Sequence, residues 1–188
     1  MFPYRVDAPA SPLVPYADLR TRLNIILTGD ATEDAARQND VESLEAAAVD
    51  YLDGYSGRLG RCILAQKWAF PLDVGTEVVY LPFPDCHSFA VEAKDEFGDL
   101  QPVADVEITE GRGCVSLSGL GSDVTGAYLT LTAGWATADD VPANITQAIK
   151  MLVAFWYDNA SAVSDDSAPK SVPLGFEDMI RPLRSLTV

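Results

Sequence analysis

The stretch from Pro142 to about Ala160 constrains this chain more than any other. It follows Asp139-Asp140-Val141-Pro142, where proline suits the first helical turn and the acids suit the positive end of the helix dipole. A helix over those residues would span roughly 28 Å at 1.5 Å per residue. Ile145, Ala148, Ile149, Leu152 and Trp156 recur at three- and four-residue steps and form its main stripe. Met151, Val153 and Phe155 widen that stripe. A helix apolar over most of its girth must be covered on more than one side. Contacts between copies of the chain are one cover, with Met151, Phe155 and Trp156 as candidate subunit-interface residues. A β-subdomain of the same chain is the other, and the pattern supports both equally.

With 188 residues and 48% apolar composition, the chain can bury one sizeable core but not two independent ones. A second helix is predicted around Val41, Leu44, Ala48, Tyr51, Leu52 and Tyr55, with Thr32 or Asn39 as its cap and Gly54 and Gly57 marking its end. Glu42, Glu45, Asp50 and Asp53 take its other side and are the candidate acidic face. Tyr16 to Leu23 can form a short helix. Before it, 13 residues with three prolines read as an extended arm.

Between Cys62 and Ala133 the signal changes to short segments rich in Val, Tyr, Phe and Leu, the pattern of antiparallel strands. Strands are expected near Ile63 to Phe70, Glu77 to Leu81, Phe89 to Lys94, Val106 to Thr109, Cys114 to Leu117 and Ala127 to Ala133. Phe97-Gly98-Asp99 and Glu110-Gly111-Arg112-Gly113 mark turns. Ser161 to Ser171 reads as a polar linker. An apolar tail follows, carrying Val172, Leu174, Phe176, Met179, Ile180 and Leu183. It either folds back on the core or docks on a neighbour. On the docking branch, truncation after Ser171 should leave a folded protein that no longer binds that neighbour.

The fold class expected is α+β: a small helical bundle with an inserted antiparallel β-subdomain and extended N- and C-terminal arms. Residues 1–13 would be the arm, 14–60 and 140–161 the helical part, 61–139 the β-insertion, and 162–188 the linker and tail.

Chemistry is sparse. His87 is the only histidine, so any nucleophile–histidine centre must use it. Its neighbour Cys86 points to the opposite side of an extended chain. Three cysteines without CxxC spacing suit reduced thiols better than a disulfide framework or a zinc site. The acidic run Asp95-Glu96-Phe97-Gly98-Asp99 lacks the spacing of a calcium loop. No phosphate-binding glycine loop occurs. No catalytic, cofactor-binding or metal-ligating residue is therefore assigned, and no cofactor is expected. Thirteen basic against 28 acidic residues leave a net charge of -15, which repels a phosphate backbone and excludes specific DNA binding. Neither a membrane span nor an export signal is predicted.

Three segments, in order, resemble the head-to-tail connector (adaptor) family of tailed bacteriophages and gene transfer agents. The first runs from Ala46-Ala47-Ala48 through Tyr51-Leu52-Asp53-Gly54-Tyr55 to Gly60-Arg61-Cys62 and Gln66-Lys67-Trp68. It is similar to the family's helix, glycine-arginine turn and strand. The second joins Leu129 to Gly134-Trp135, then Val141-Pro142, then Trp156-Tyr157. The third is Pro173-Leu174-Gly175-Phe176 with Ile180-Arg181-Pro182-Leu183-Arg184. The likeness runs from about Val14 to Arg184. The proline-bearing arm and a second Gly-Arg at Gly57-Arg58 depart from the family pattern.

This resemblance implies an adaptor ring, a dodecamer joining the portal to the tail in the virion neck and lining the DNA passage. DNA would pass through without specific binding. The implied partners are the portal protein and a stopper or tail-completion protein, with assembly in the host cytoplasm and no membrane. It further implies that the apolar tail docks on the portal. Two other readings have a physical basis. An acidic surface could mimic DNA and inhibit a basic host protein, or unmarked carboxylates could serve a hydrolase. A stopper or tail terminator is the neighbouring structural alternative.

Overall fold

The computed structural model describes residues 3–9, 12–73, 75–94, 97, 99–119, 126–159 and 174–185. Its fold is α+β, in two compact units. One comprises Met1–Pro9, Arg61–Ala136 and Thr187–Val188; the other comprises Ala10–Gly60 and Thr137–Leu186.

The helical unit contains α1 (Tyr16–Arg22), α2 (Ala31–Leu52), α3 (Ala143–Asp158) and α4 (Leu174–Ile180). Neither Thr32 nor Asn39 starts α2. Asp30 does, its carboxylate accepting the Thr32 and Glu33 N–H groups at 2.8 and 3.2 Å, because an acid just ahead of the first turn satisfies orphan donors that nothing else reaches. At the far end Gly54 adopts φ 76°, the left-handed stop that glycine takes without a steric penalty. Gly57 is needed for closeness: a β-carbon there would stand 2.2 Å from the Asp53 carbonyl oxygen.

Val41, Ala48 and Leu52 of α2 and Ile145, Ile149 and Leu152 of α3 are fully buried, and the two helices pack together. The acids before α3 act differently from the expectation. Ala138–Asp140 is a separate 3-10 turn, and Asp140 accepts the Thr137 N–H and hydroxyl at 3.1 and 2.7 Å. Pro142 precedes α3 rather than opening its first turn.

The β unit holds eight strands: β1 (Tyr4–Asp7), β2 (Gln66–Pro71), β3 (Val78–Tyr80), β4 (Cys86–Lys94), β5 (Leu100–Pro102), β6 (Glu107–Glu110), β7 (Cys114–Ser118) and β8 (Ala127–Ala133). They form an antiparallel five-stranded sheet, β1-β2-β8-β4-β5, and a three-stranded sheet, β3-β7-β6. Val115 and Leu117 of the smaller sheet share a core with Val91, Ala127 and Leu129 of the larger. Central β8 is buried along nearly its whole length. The proline-bearing arm is not free: Tyr4 pairs with Ala69 and Arg5 with Trp68, so it supplies the edge strand. The tight Glu110–Gly113 turn joins β6 to β7, with Gly113 at φ 76°.

Candidate assembly surfaces

The expected acidic face of α2 splits in two. Glu42 is half-buried and accepts the Gln38 amide at 2.8 Å, and Asp50 is exposed. Glu45 and Asp53, by contrast, are buried, with 4% and 7% exposure, and leave the candidate face. Glu45 Oε1 accepts the Leu13 and Val14 N–H groups at 2.9 and 3.0 Å. It holds the segment leading into α1 against α2. Desolvation raises its pKa, partly opposed by those two N–H bonds. Asp53 closes α2, its own N–H donating to the Val49 carbonyl.

The surplus apolar girth of α3 is partly covered by the chain's own α4. Phe176 and Ile180 are fully buried, with the Phe176 ring 6.4 Å from Tyr51. Those two side chains are core residues rather than a docking surface. The helix is also tied down at its rim: Arg58 pairs with Glu177, and Ser185 N–H donates to the Leu59 carbonyl at 2.7 Å. Met179 and Leu183 are half-buried. Val172 and the Leu174 side chain lie outside the described residues, as does the Ser161 to Ser171 linker. Met151, Phe155 and Trp156 are half-buried too. Met151 Cε faces the Gly175 backbone, and Trp156 meets Tyr51 edge-on at 6.2 Å.

In the β unit, sequence segments far apart converge on one node. Gln66 to Pro71 pairs with Tyr128 to Ala133 in register. The Arg61 guanidinium lies over the Trp135 ring, 4.5 Å from its centroid, and pairs with Asp85. Trp135 N–H donates to Ile63 O at 3.0 Å, and its carbonyl accepts Ala65 N–H at 2.8 Å. Gly134 is required here, at φ 109° with a β-carbon otherwise 2.4 Å from Leu64 O. The Gly-Arg and Gly-Trp motifs thus form two halves of one structural joint.

Cys86 and His87 offer no nucleophile pair. The Cys86 thiol donates to Phe83 O at 3.2 Å, and burial pushes its pKa up to about 11, away from the thiolate a nucleophile needs. His87 is exposed, with Nδ1 3.4 Å from Asp85 O. Among the described residues no three His, Cys, Asp or Glu side chains gather as a metal site would require, and no helix is long and apolar enough to cross a membrane.

Solved structures carry a similar fold. A chain from the neck of an empty gene transfer agent (GTA) particle, computed with C6 symmetry, is similar to this chain over 100% of its length and 97% of that chain, with a TM-score of 0.71 and 21% identity. A chain from the neck of the native GTA particle, computed with C12 symmetry, gives a TM-score of 0.62 at 21% identity and the same coverage. The fold is shared with these two chains. A chain from the virion of the native GTA particle is similar over the same extents, with a TM-score of 0.61 and 22% identity. No family model matches the chain, and no curated protein does.

Proposed function

We propose that this chain is a structural neck protein, the adaptor subunit of a ring that joins the portal to the tail of a phage-like particle, and that it is not an enzyme. The observation that carries this reading is end-to-end similarity to chains of GTA necks, spanning both the helical and the β unit. The Arg61–Trp135 joint adds to it, since it unites two sequence segments that resemble the adaptor family.

On this reading the net charge of -15, repeated around a ring, keeps DNA from adhering as it passes. Met151, Phe155 and Trp156 contribute to subunit contact. Portal contact draws on Val172, Leu174, Met179 and Leu183, with Phe176 and Ile180 supporting α4 from within. The ring also meets a stopper or tail-completion protein and assembles in the host cytoplasm.

The test is negative-stain imaging and native mass determination of the full chain mixed with the portal of its own particle. Rings stacked on the portal are expected. A chain that ignores the portal and instead binds a basic host protein, with steep salt dependence, would replace this reading with DNA mimicry.

A further inference from the structure

Four strands stand at the edges of the two sheets: β1 and β5 in the larger, β3 and β6 in the smaller. An edge strand offers unpaired N–H and C=O groups, and folded proteins guard such edges with charges, prolines or irregular register. Three of the four are guarded in this way. β1 carries Arg5 and Asp7 across a register shift, β5 ends in Pro102, and β6 carries Glu107 and Glu110. β3 reads Val78-Val79-Tyr80, and its one safeguard is its shortness.

Hydrogen bonding fixes which side of β3 is open. Leu117 N–H donates to Glu77 O at 2.7 Å, Leu81 N–H donates to Gly113 O at 2.9 Å, and Val79 lies opposite Val115. Glu77, Val79 and Leu81 therefore aim their backbone groups at β7. In an antiparallel ladder the residues between them aim the other way, so Val78 and Tyr80 present N–H and C=O where β3 has no second neighbour among the described residues. Their side chains share one face and are 46% and 81% exposed, while Val79 packs against the core. No charge lies within the strand. Asp73 and Glu77 precede it, Asp85 after it is paired with Arg61, and the turn that carries Gly113 holds Glu110 and Arg112, one of each sign.

We propose that β3 of one copy pairs antiparallel with β3 of a second copy, about a two-fold axis at Val79. The second copy supplies the same two open residues in reverse order. Val78 then faces Tyr80 of the second copy, and Tyr80 faces its Val78. Each pair exchanges two backbone hydrogen bonds, which satisfies every outward N–H and C=O of both strands. A β-branched residue opposite an aromatic one is also a favourable cross-strand pair. Glu77 falls opposite Leu81 of the second copy, so no two acids stand opposite each other within the ladder. The register is pinned at both ends: Thr76 N–H already donates to Asp73 O at 3.1 Å, and Pro82 has no N–H to give. Any other edge of a second copy would bring a charge or a proline into the contact instead. An edge this short falls below the roughly 1,200 Å² that stable interfaces bury, so the pair is weak and reversible. It is a contact of free chains and does not rest on the ring reading, because successive copies around a ring face the same way, with no two-fold axis between them.

Sedimentation equilibrium of the full chain over rising concentration tests the pairing. A monomer–dimer equilibrium with a dissociation constant on the order of 0.1–1 mM is expected, the range that about four net hydrogen bonds support. It should tighten as salt is added, because each copy carries a charge of -15 and screening relieves their repulsion. Tyr80→Lys and Val78→Asp should each weaken it about tenfold and leave the melting temperature unchanged. Mixed together, the two variants should associate about as well as wild type. The register sets the new aspartate opposite the new lysine and leaves the other pair, Tyr80 with Val78, intact. Tyr80→Lys, at the more exposed position, decides alone should Val78→Asp lower the melting temperature. A chain that stays monomeric, a dimer that loosens with salt, variants that leave association unchanged, or two folded variants that fail to rescue each other would overturn the proposal. Dimers from a chain that ignores the portal would remove the neck reading and leave this contact standing; rings on the portal from a chain that never dimerises would do the reverse.

Discussion

Tyr4–Asp7 and Leu174–Ile180 come from opposite ends of the sequence and read alike there, as segments outside the periodic core. The structure ties each to its own unit by a different force. β1 is held mainly by its backbone ladder to β2, with Arg5, Val6 and Asp7 left exposed. The Tyr4 side chain adds an anchor: its ring meets Tyr128 edge-on at 5.6 Å, and Lys94 Nζ stands 4.7 and 5.4 Å from the two ring centroids. Leu174–Ile180 is held by burial, with Phe176 and Ile180 wholly enclosed. An edge strand held this way can fray while its sheet survives. A helix that supplies core volume cannot leave without opening a cavity.

Phe176→Ala should break the comparison most severely. Emptying a fully enclosed aromatic site costs about 3–5 kcal/mol, a large share of an ordinary domain's stability, read as a lower urea midpoint. For the same reason truncation after Ser171 is now expected to destabilise the helical unit rather than leave it intact. A truncated chain with an unchanged midpoint would show that α4 is dispensable.

Glu45→Ala comes next, because it strands the Leu13 and Val14 N–H groups in a buried place, at about 1–3 kcal/mol. Glu45→Gln keeps an acceptor oxygen and should be far milder. It also tests the sign of the pH effect. Because burial raises the folded-state pKa of Glu45, its contribution is fullest below the unfolded-state pKa and is lost as pH rises through the raised value. Titrating stability should therefore show wild type losing ground to Glu45→Gln over that interval. A constant difference across it would remove the desolvation argument.

At the other terminus Tyr4→Ala should cost about 1–2 kcal/mol, from the aromatic pair and the lysine above it. Its mark should be faster hydrogen exchange in β1 and at the β2 amides that face it, with β8 still protected. Loss of protection throughout the sheet would mean that the arm is integral rather than added. Smallest of all, Asp178→Ala removes an exposed pair with Arg181, 3.5 Å apart, and should change thermal stability by less than about 0.5 kcal/mol. A larger drop would place part of the hold on α4 at its surface.

Much of this architecture was legible because period and turn chemistry are local. The stripe through Ile145, Ile149 and Leu152 predicts α3, and those residues are among its buried positions. Ala127 to Ala133 was expected as a strand and is one over those same residues. Strands β1 and β5 were missed because four- and three-residue edge segments carry too little alternation to register. The Asp30 cap was overlooked for a simpler reason: several acceptors precede α2, and the chosen one is whichever the backbone aims at the first free N–H groups.

The candidate surfaces were less legible. Glu42, Glu45, Asp50 and Asp53 share a sequence pattern but not an environment. Glu45 is buried because two N–H groups more than thirty residues earlier need an acceptor, which no local spacing encodes. The exposure of the Ile26–Leu27 pair is not legible in the sequence, since two aliphatics beside a turn ordinarily read as minor core. Only the bonds from Asp34 and Arg37 show that they are held outward.

By itself, then, the sequence determined most of the longer helices and strands, where glycine must turn the chain, and a strong net negative charge. These follow from side-chain spacing, backbone sterics and net charge, all properties of residues near one another or summed over the chain. Tertiary structure alone decided which apolar faces are already covered, which acids are buried, and that both described ends are tied down. Burial and hydrogen-bond satisfaction depend on partners brought together from distant positions, and a periodic pattern states that a face needs a partner without saying which one it will find.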